Sequence, residues 1–413
     1  MNRSAANQIS PWRVVILLWP VALLNYLDRQ MLATMKLSMQ VDIPALKSAE
    51  TFGMLMAIFM WVYAICSPLS GVFADRFNRK WLIVFSLAVW SAVTISMGVT
   101  HDFFTLYCLR AVMGISEAVY IPAGLSLIAD FHRGPTRSLA VGIHMSGIYM
   151  GQALGGVGGW VAQDISWHAA FAGCGGIGVA YALVLAIFLH ETDTRSHQNA
   201  NNTQPVGSRD FSNVHWLGFI ILLACFSLPS LPGWAVKNWL PTLLQDRFLL
   251  DQKHSGLWAT SLTAGASFFG VMIGGRISDL LSQRHLGGRT WVSALGLFLT
   301  VPALLGMGMA PAFWLVMICA GLYGFGFGFF DTNNMPIACQ VVPPHLRATA
   351  YGLMNFAGIA AGAYLTPLLG RLKDHGVPLA TGFALCVIPS ILAMILMLLL
   401  RPRQRDCGSE DKT

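Results

Sequence analysis

Leu109–Gly124, LRAVMGISEAVYIPAG, sets two charges, Arg110 and Glu117, in an otherwise apolar run that extends from about Phe103 to Phe131. About 20 apolar residues cross a hydrocarbon core ~30 Å thick, so the run is long enough to span a bilayer. A charge at mid-membrane costs ~2.5–3.5 kcal/mol on insertion scales, so two of them need a compensating environment. Their separation is close to two helical turns, which places both side chains on one face, roughly 10 Å apart along the axis. That face must look into protein or water.

The composition agrees with a membrane setting. Of 413 residues, 55% are hydrophobic and only 11% charged, with a mean hydropathy of +0.59. Soluble domains carry about 25% charged residues. Met1 to Arg13 is short and polar and runs directly into a full-length span, so no cleavable signal is expected. Seven of the eight cysteines (all but Cys407) fall in apolar spans without metal-site or disulfide spacing, and they read as small packing residues. The net charge of +7 is explained by basic loops on one side of the membrane rather than by nucleic acid.

Hydrophobic runs predict twelve helical spans, at about 13–36, 51–74, 81–99, 103–130, 138–163, 168–190, 215–245, 255–281, 290–309, 312–342, 346–370 and 376–400. They are too long for barrel strands, so the expected fold is an all-α membrane protein. With a cytoplasmic N-terminus, 17 of the 26 Lys and Arg fall inside and six outside, with Arg29, Arg110 and Lys237 left within spans. That bias predicts both termini in the cytoplasm. The polar stretch 191–214 reads as a cytoplasmic linker between two six-helix bundles, 1–190 and 215–400, followed by a cytoplasmic tail, 401–413. Three echoes relate the halves: Gly71-x-x-x-Asp75 with Gly275-x-x-x-Asp279, Glu117 and Pro122 with Asp331 and Pro336, and Arg137 with Arg347. Together they point to an internal duplication.

Buried polar groups recur in the first helix of each three-helix unit. Span 1 has Asn25, Tyr26, Asp28 and Arg29; span 4 has Arg110, Glu117 and Tyr120; span 7 has Lys237 and Asn238; span 10 has Asp331, Asn333 and Asn334. One central cavity enclosed by these helices is the expectation. Asp28, Glu117 and Asp331 balance Arg29, Arg110 and Lys237 when all are ionised. Protonating one carboxylate leaves a positive site that attracts an anion, so a proton and an anion moving together avoid an uncompensated buried charge. The plainer alternative is that Arg110 and Glu117 pair with other helices simply to lock the bundle. Asp28 and Arg29 point about 100° apart and are not expected to satisfy one another. His144 reads as a packing residue. Gly147, Gly151, Gly155 and Gly159, like Gly358 and Gly362, read as close helix contacts. No phosphate loop or metal-ligand cluster is present in the sequence, so neither an enzyme, a cofactor nor a metal is expected.

Gly71–Lys80, GVFADRFNRK, resembles the signature loop of the major facilitator superfamily, Gly-x-x-x-Asp-Arg-x-x-Arg-Lys/Arg, and every key position matches. The resemblance implies two pseudo-symmetric bundles rocking about a central site, with Gly71, Asp75, Arg76, Arg79 and Lys80 in a cytoplasmic gate. NYLDRQ in span 1 and RAVMGISEAVYIPA in span 4 further resemble the anion:cation symporter family, which includes sugar-acid transporters. In that family the span 1 aspartate and arginine and the span 4 arginine and glutamate bind substrate and couple protons; here these are Asp28, Arg29, Arg110 and Glu117. Lys237-Asn238-Trp239 is similar to a basic residue that holds substrate carboxylate in the glutamate transporters, with a lysine lacking the bidentate fork of arginine. The spinster family of lysolipid transporters shares the span 1 and span 4 pattern, but its Gly-x-Gly-Glu differs from Gly114-Ile-Ser-Glu117 here.

The expectation is therefore a proton-coupled symporter of a small organic anion such as a sugar acid in the inner membrane, working as a monomer. Arg29, Tyr26, Lys237, Asn238, Tyr120, Asn333 and Asn334 are the candidate substrate ligands. Glu117, Asp28, Arg110 and Asp331 are the candidate coupling groups. A spinster-like transporter or exporter of lysolipids or other amphipaths is the alternative.

Overall fold

A computed structural model describes residues 10–132, 136–191, 216–342 and 347–400. Most of the expected linker, the expected tail, and the side chains of Gly71, Asp75 and Arg76 lie outside the described residues. The described chain is almost entirely helical, in twelve spans arranged as two six-helix bundles. Ten of its helical segments are long and apolar enough to cross a membrane. The other two spans are Pro11–Thr34 and the interrupted pair Arg137–Leu154 and Gly156–Asp164, which are spans 1 and 5.

Four spans are broken, three of them shortly before a proline. Span 4 is Phe103–Ala118 followed by Tyr120–Phe131, and span 10 is Phe313–Asp331 followed by Asn334–Val341. Span 12 is Leu379–Leu385 followed by Val387–Leu399. Pro122, Pro336 and Pro389 follow the breaks. Each lacks the N–H that would reach the carbonyl four residues back, at Ala118, Thr332 or Leu385. The breaks in spans 4 and 10 sit at corresponding places in the two halves, directly beyond Glu117 and Asp331. Span 5 instead divides at the Gly155–Gly156 pair.

Close approaches explain the glycine stripe of span 5. A Cβ at Gly151 would lie 2.2 Å from the Leu23 carbonyl oxygen, so span 1 packs directly on the bare backbone of span 5. Across the two halves, span 2 (Ala49–Arg76) packs along span 11 (Arg347–Asp374), and span 5 packs along span 8 (Gln252–Arg284).

The face opposite the linker is held shut by polar contacts between the halves. Asp374 of span 11 accepts from Ser48 Oγ, Ala49 N and Glu50 N at the start of span 2, at 2.7, 2.8 and 2.9 Å. Symmetrically, Gln163 and Asp164 at the end of span 5 meet the start of span 8. Gln163 Oε1 accepts from Lys253 N at 2.8 Å, and Lys253 Nζ pairs with Asp164 at 3.1 Å. The N-termini of spans 2 and 8 are thus each capped from the opposite bundle, where their unpaired N–H groups favour acceptors.

Candidate functional site

Beneath that closed face, a cavity of about 230 Å³ lies between the halves, lined by the linker-side parts of spans 7 and 11 together with spans 1, 5, 8 and 10. Among the candidates, Tyr26, Lys237, Asp331 and Asn334 line it. Tyr149 of span 5 donates to Asp331 Oδ2 at 2.7 Å, a hydrogen bond that crosses from one bundle to the other. Asn334 Nδ2 donates to Asp331 Oδ1 at 3.0 Å. The Lys237 ammonium lies 5.2 Å from the Trp234 ring centre and 5.9 Å from that of Phe327. Among the described residues it makes no ion pair, although Asp331 acts on it at longer range. Its backbone oxygen accepts from Gln30 Nε2 at 2.7 Å, joining span 1 to span 7.

A second polar cluster lies within the first bundle. Glu117 is fully buried and accepts through one oxygen from Arg29 Nε at 2.5 Å and Asn25 Nδ2 at 3.0 Å. Asp28 turns away from Arg29 and accepts from Thr94 Oγ1 of span 3 at 2.5 Å, as the 100° step between neighbouring helix residues requires. Arg110 is 2% exposed and directs Nη1 to the Met113 sulfur at 3.3 Å, while Asp28 and Glu117 act on it electrostatically. The guanidiniums of Arg29 and Arg110 both lie near the Phe59 ring, at 5.0 and 4.7 Å. Arg29 is also 4.3 Å from the Tyr63 ring and 4.8 Å from that of Tyr26. Such aromatic faces stabilise a cation removed from water. Asp28, Glu117, Arg29 and Arg110 do not line the described cavity; Tyr26, which touches both Arg29 and the cavity, separates the two sites.

Other candidates are directed elsewhere. The Tyr120 hydroxyl donates to the Leu18 carbonyl at 2.9 Å, and its ring packs against Trp90 and His144. Asn238 donates to Thr366 Oγ1 at 3.0 Å in the contact between spans 7 and 11. Asn333 is fully buried, donates to the Phe329 carbonyl at 2.9 Å and accepts from Arg289 at 3.5 Å. None of these three lines the cavity. In the gate candidate, Arg79 pairs with Asp130, tying span 3 (Arg79–Met97) to the end of span 4, and Lys80 lies 5.3 Å from the Trp81 ring centre.

Several cavity and cluster residues carry no charge and gave no signal in the sequence: Phe59, Tyr63, Thr94 and the aromatic walls Trp234 and Phe327. Tyr149 and Gln152 had a weak signal, since both interrupt the apolar pattern of span 5 beside its glycines.

Twelve helices in two bundles about a polar cavity define a multi-pass membrane transport protein. The Major Facilitator Superfamily profile matches residues 18–286 and 240–412, and the chain belongs to that family. Among its relatives, the D-galactonate transporter of Escherichia coli O6:H1 (strain CFT073) is 24% identical over 386 residues, covering 87% of this chain and 88% of that protein. Protein spinster homolog 1 of Mus musculus is 26% identical over 404 residues, covering 88% of this chain and 74% of that protein. A solved structure of a bacterial homolog to the human lysosomal transporter Spinster, described as inward-facing and occupied, is similar in fold. Its TM-score is 0.76 at 18% identity, covering 96% of this chain and 97% of that one.

Proposed function

We propose that this protein is a secondary transporter that moves a small organic anion, of the sugar-acid class, together with protons across the inner membrane. The observation that carries the reading is Lys237: a cation without an ion-pair partner among the described residues, in a cavity between the halves. An anion there supplies the missing partner, which a neutral solute does not. Kinship with the D-galactonate transporter supports a sugar acid as the cargo. Tyr26 then links this site to the Arg29–Glu117 pair. Protonating Glu117 removes the charge that holds Arg29, leaving the guanidinium free to turn toward the substrate carboxylate across Tyr26. Asp28 and Arg110 set the local field around that step. Alternation follows from bundles 1–190 and 215–400, joined by linker 191–214, rocking about the central site, with both termini and tail 401–413 cytoplasmic. In this reading the closed face is the extracytoplasmic one.

Accumulation of D-galactonate by proteoliposomes under an imposed inward proton gradient tests the coupling; indifference to the gradient sinks it. Glu117→Gln should keep exchange and lose accumulation, whereas loss of both moves Glu117 to binding or structure.

The apolar wall formed by Phe226, Trp234, Phe327, Phe330 and Met354 favours a second reading, a spinster-like transporter or exporter of amphipaths. Thermal stabilisation by lysolipid and by no sugar acid would select it.

A further inference from the structure

Beside Lys237 the cavity adjoins a recess of about 30 Å³, whose walls include Gly233 of span 7, Thr263 and Ser267 of span 8, and Tyr323 and Phe327 of span 10. Gln152, Gly233, Lys237, Ser267 and Phe327 line both spaces, so the two are neighbours with shared walls. A recess of this size holds roughly one or two water-sized groups and excludes a sugar ring or an acyl chain. Tyr323 is 3% exposed, and its hydroxyl has no hydrogen-bond partner among the described residues. Buried hydroxyls are nearly always paired, so this one calls for an acceptor within the recess. Thr263 and Ser267 donate their protons to carbonyls of their own helix, Ala259 at 2.5 Å and Thr263 at 2.8 Å, which leaves their oxygens as acceptors. Tyr323 as donor with Thr263 and Ser267 as acceptors complements an alcohol, which takes one proton and gives one; Gln30, Gln152 and Thr260 complete the polar wall. Glycine at 233 leaves the space open: a Cβ there would lie 3.2 Å from Phe327 Cε2 and 3.8 Å from Tyr323 Oη.

We infer that this recess is a hydroxyl-reading subsite, which takes the hydroxyl next to the carboxylate of an anion held at Lys237 and makes Tyr323 a specificity-determining residue. The inference rests on the organic-anion reading and narrows it to 2-hydroxy carboxylates. An acid without that hydroxyl leaves Tyr323 buried and unpaired, which is how a polar recess rejects a deoxy analogue.

Counterflow by the full chain in proteoliposomes, with D-galactonate and 2-deoxy-D-galactonate as competitors, tests it. Wild type should prefer the hydroxylated acid by roughly tenfold, the scale of one hydrogen bond to a buried group. Tyr323→Phe should bring the ratio near one without lowering the melting temperature, because the oxygen it removes has no hydrogen-bond partner among the described residues. Gly233→Ala should weaken D-galactonate more than the deoxy acid by filling the recess. A ratio unchanged in Tyr323→Phe, a Tyr323→Phe chain that fails to fold, or a wild type without preference overturns the subsite while leaving organic-anion transport standing. A wild type that exchanges neither acid overturns the organic-anion reading and the subsite with it.

Discussion

Asp374 offers a direct test of how one face of the transporter is kept shut. Span 2 begins with Ser48, whose Oγ accepts from Thr51 N at 3.1 Å, while Asp374 takes the N–H groups of Ala49 and Glu50 from the opposite bundle. Asp374→Ala therefore removes half of a helix cap, and it does so only in the conformation where the halves touch. A cap is worth about 0.5–2 kcal/mol. Asp374 is exposed, and solvent screening places its share near ~1 kcal/mol. At 1.4 kcal/mol per factor of ten, that shifts the closed-to-open ratio about fivefold. A single cysteine at Thr34, fully buried between the halves, reports the shift in a background whose native cysteines are replaced. Its rate of modification by a membrane-impermeant maleimide should rise about fivefold in Asp374→Ala. Asp374→Asn, which keeps one acceptor oxygen, should fall between. An unchanged rate in a folded Asp374→Ala protein would show that this cap contributes nothing to closure.

Three further outcomes follow from the contacts. The Lys253 hydrogen bond, followed by that of Trp160, holds the Asp164 carboxyl below the ordinary carboxylate range. Its contribution to closure is therefore complete above pH ~4 and is lost as pH falls through the lowered value. Maleimide access to the Thr34 cysteine should stay flat from pH 5 to 8 as far as this pair is concerned, and Asp164→Asn should not alter that flatness. Asn333→Ala removes the hydrogen bonds to the Phe329 carbonyl and from Arg289, at about 0.5–1.5 kcal/mol each, and should lower the melting temperature. It should change competition by D-galactonate less than twofold, since Asn333 does not line the cavity. Gly151→Ala forces span 1 off span 5 and should cost about 1–3 kcal/mol by overpacking, read as a lower melting temperature. A neutral Gly151→Ala would mean that the close approach to Leu23 is not maintained.

Much of the architecture was legible from residues alone. Spans are set by the thickness of the bilayer, a local property. The breaks were not expected: Pro122 and Pro336 follow breaks, whereas Pro20, Pro68 and Pro302 sit inside continuous helices, so packing decides which proline interrupts its span. The correspondence of Glu117 and Pro122 with Asp331 and Pro336 was readable from their common spacing, and both spans break at that place. What the sequence left open was azimuth. Asn333 and Asn334 are neighbours, yet one is buried against Phe329 and Arg289 while the other lines the cavity. Lys237 faces the cavity while Asn238 bonds Thr366, and Asp28 and Arg29 go to different partners. The charges expected around one cavity divide into a cluster within the first bundle and a cavity pair, with Tyr26 between them. A helix turns about 100° per residue, so adjacent polar side chains inevitably diverge. Only the packing of spans 1, 5, 7, 8, 10 and 11 against one another determines which of those directions opens onto the cavity.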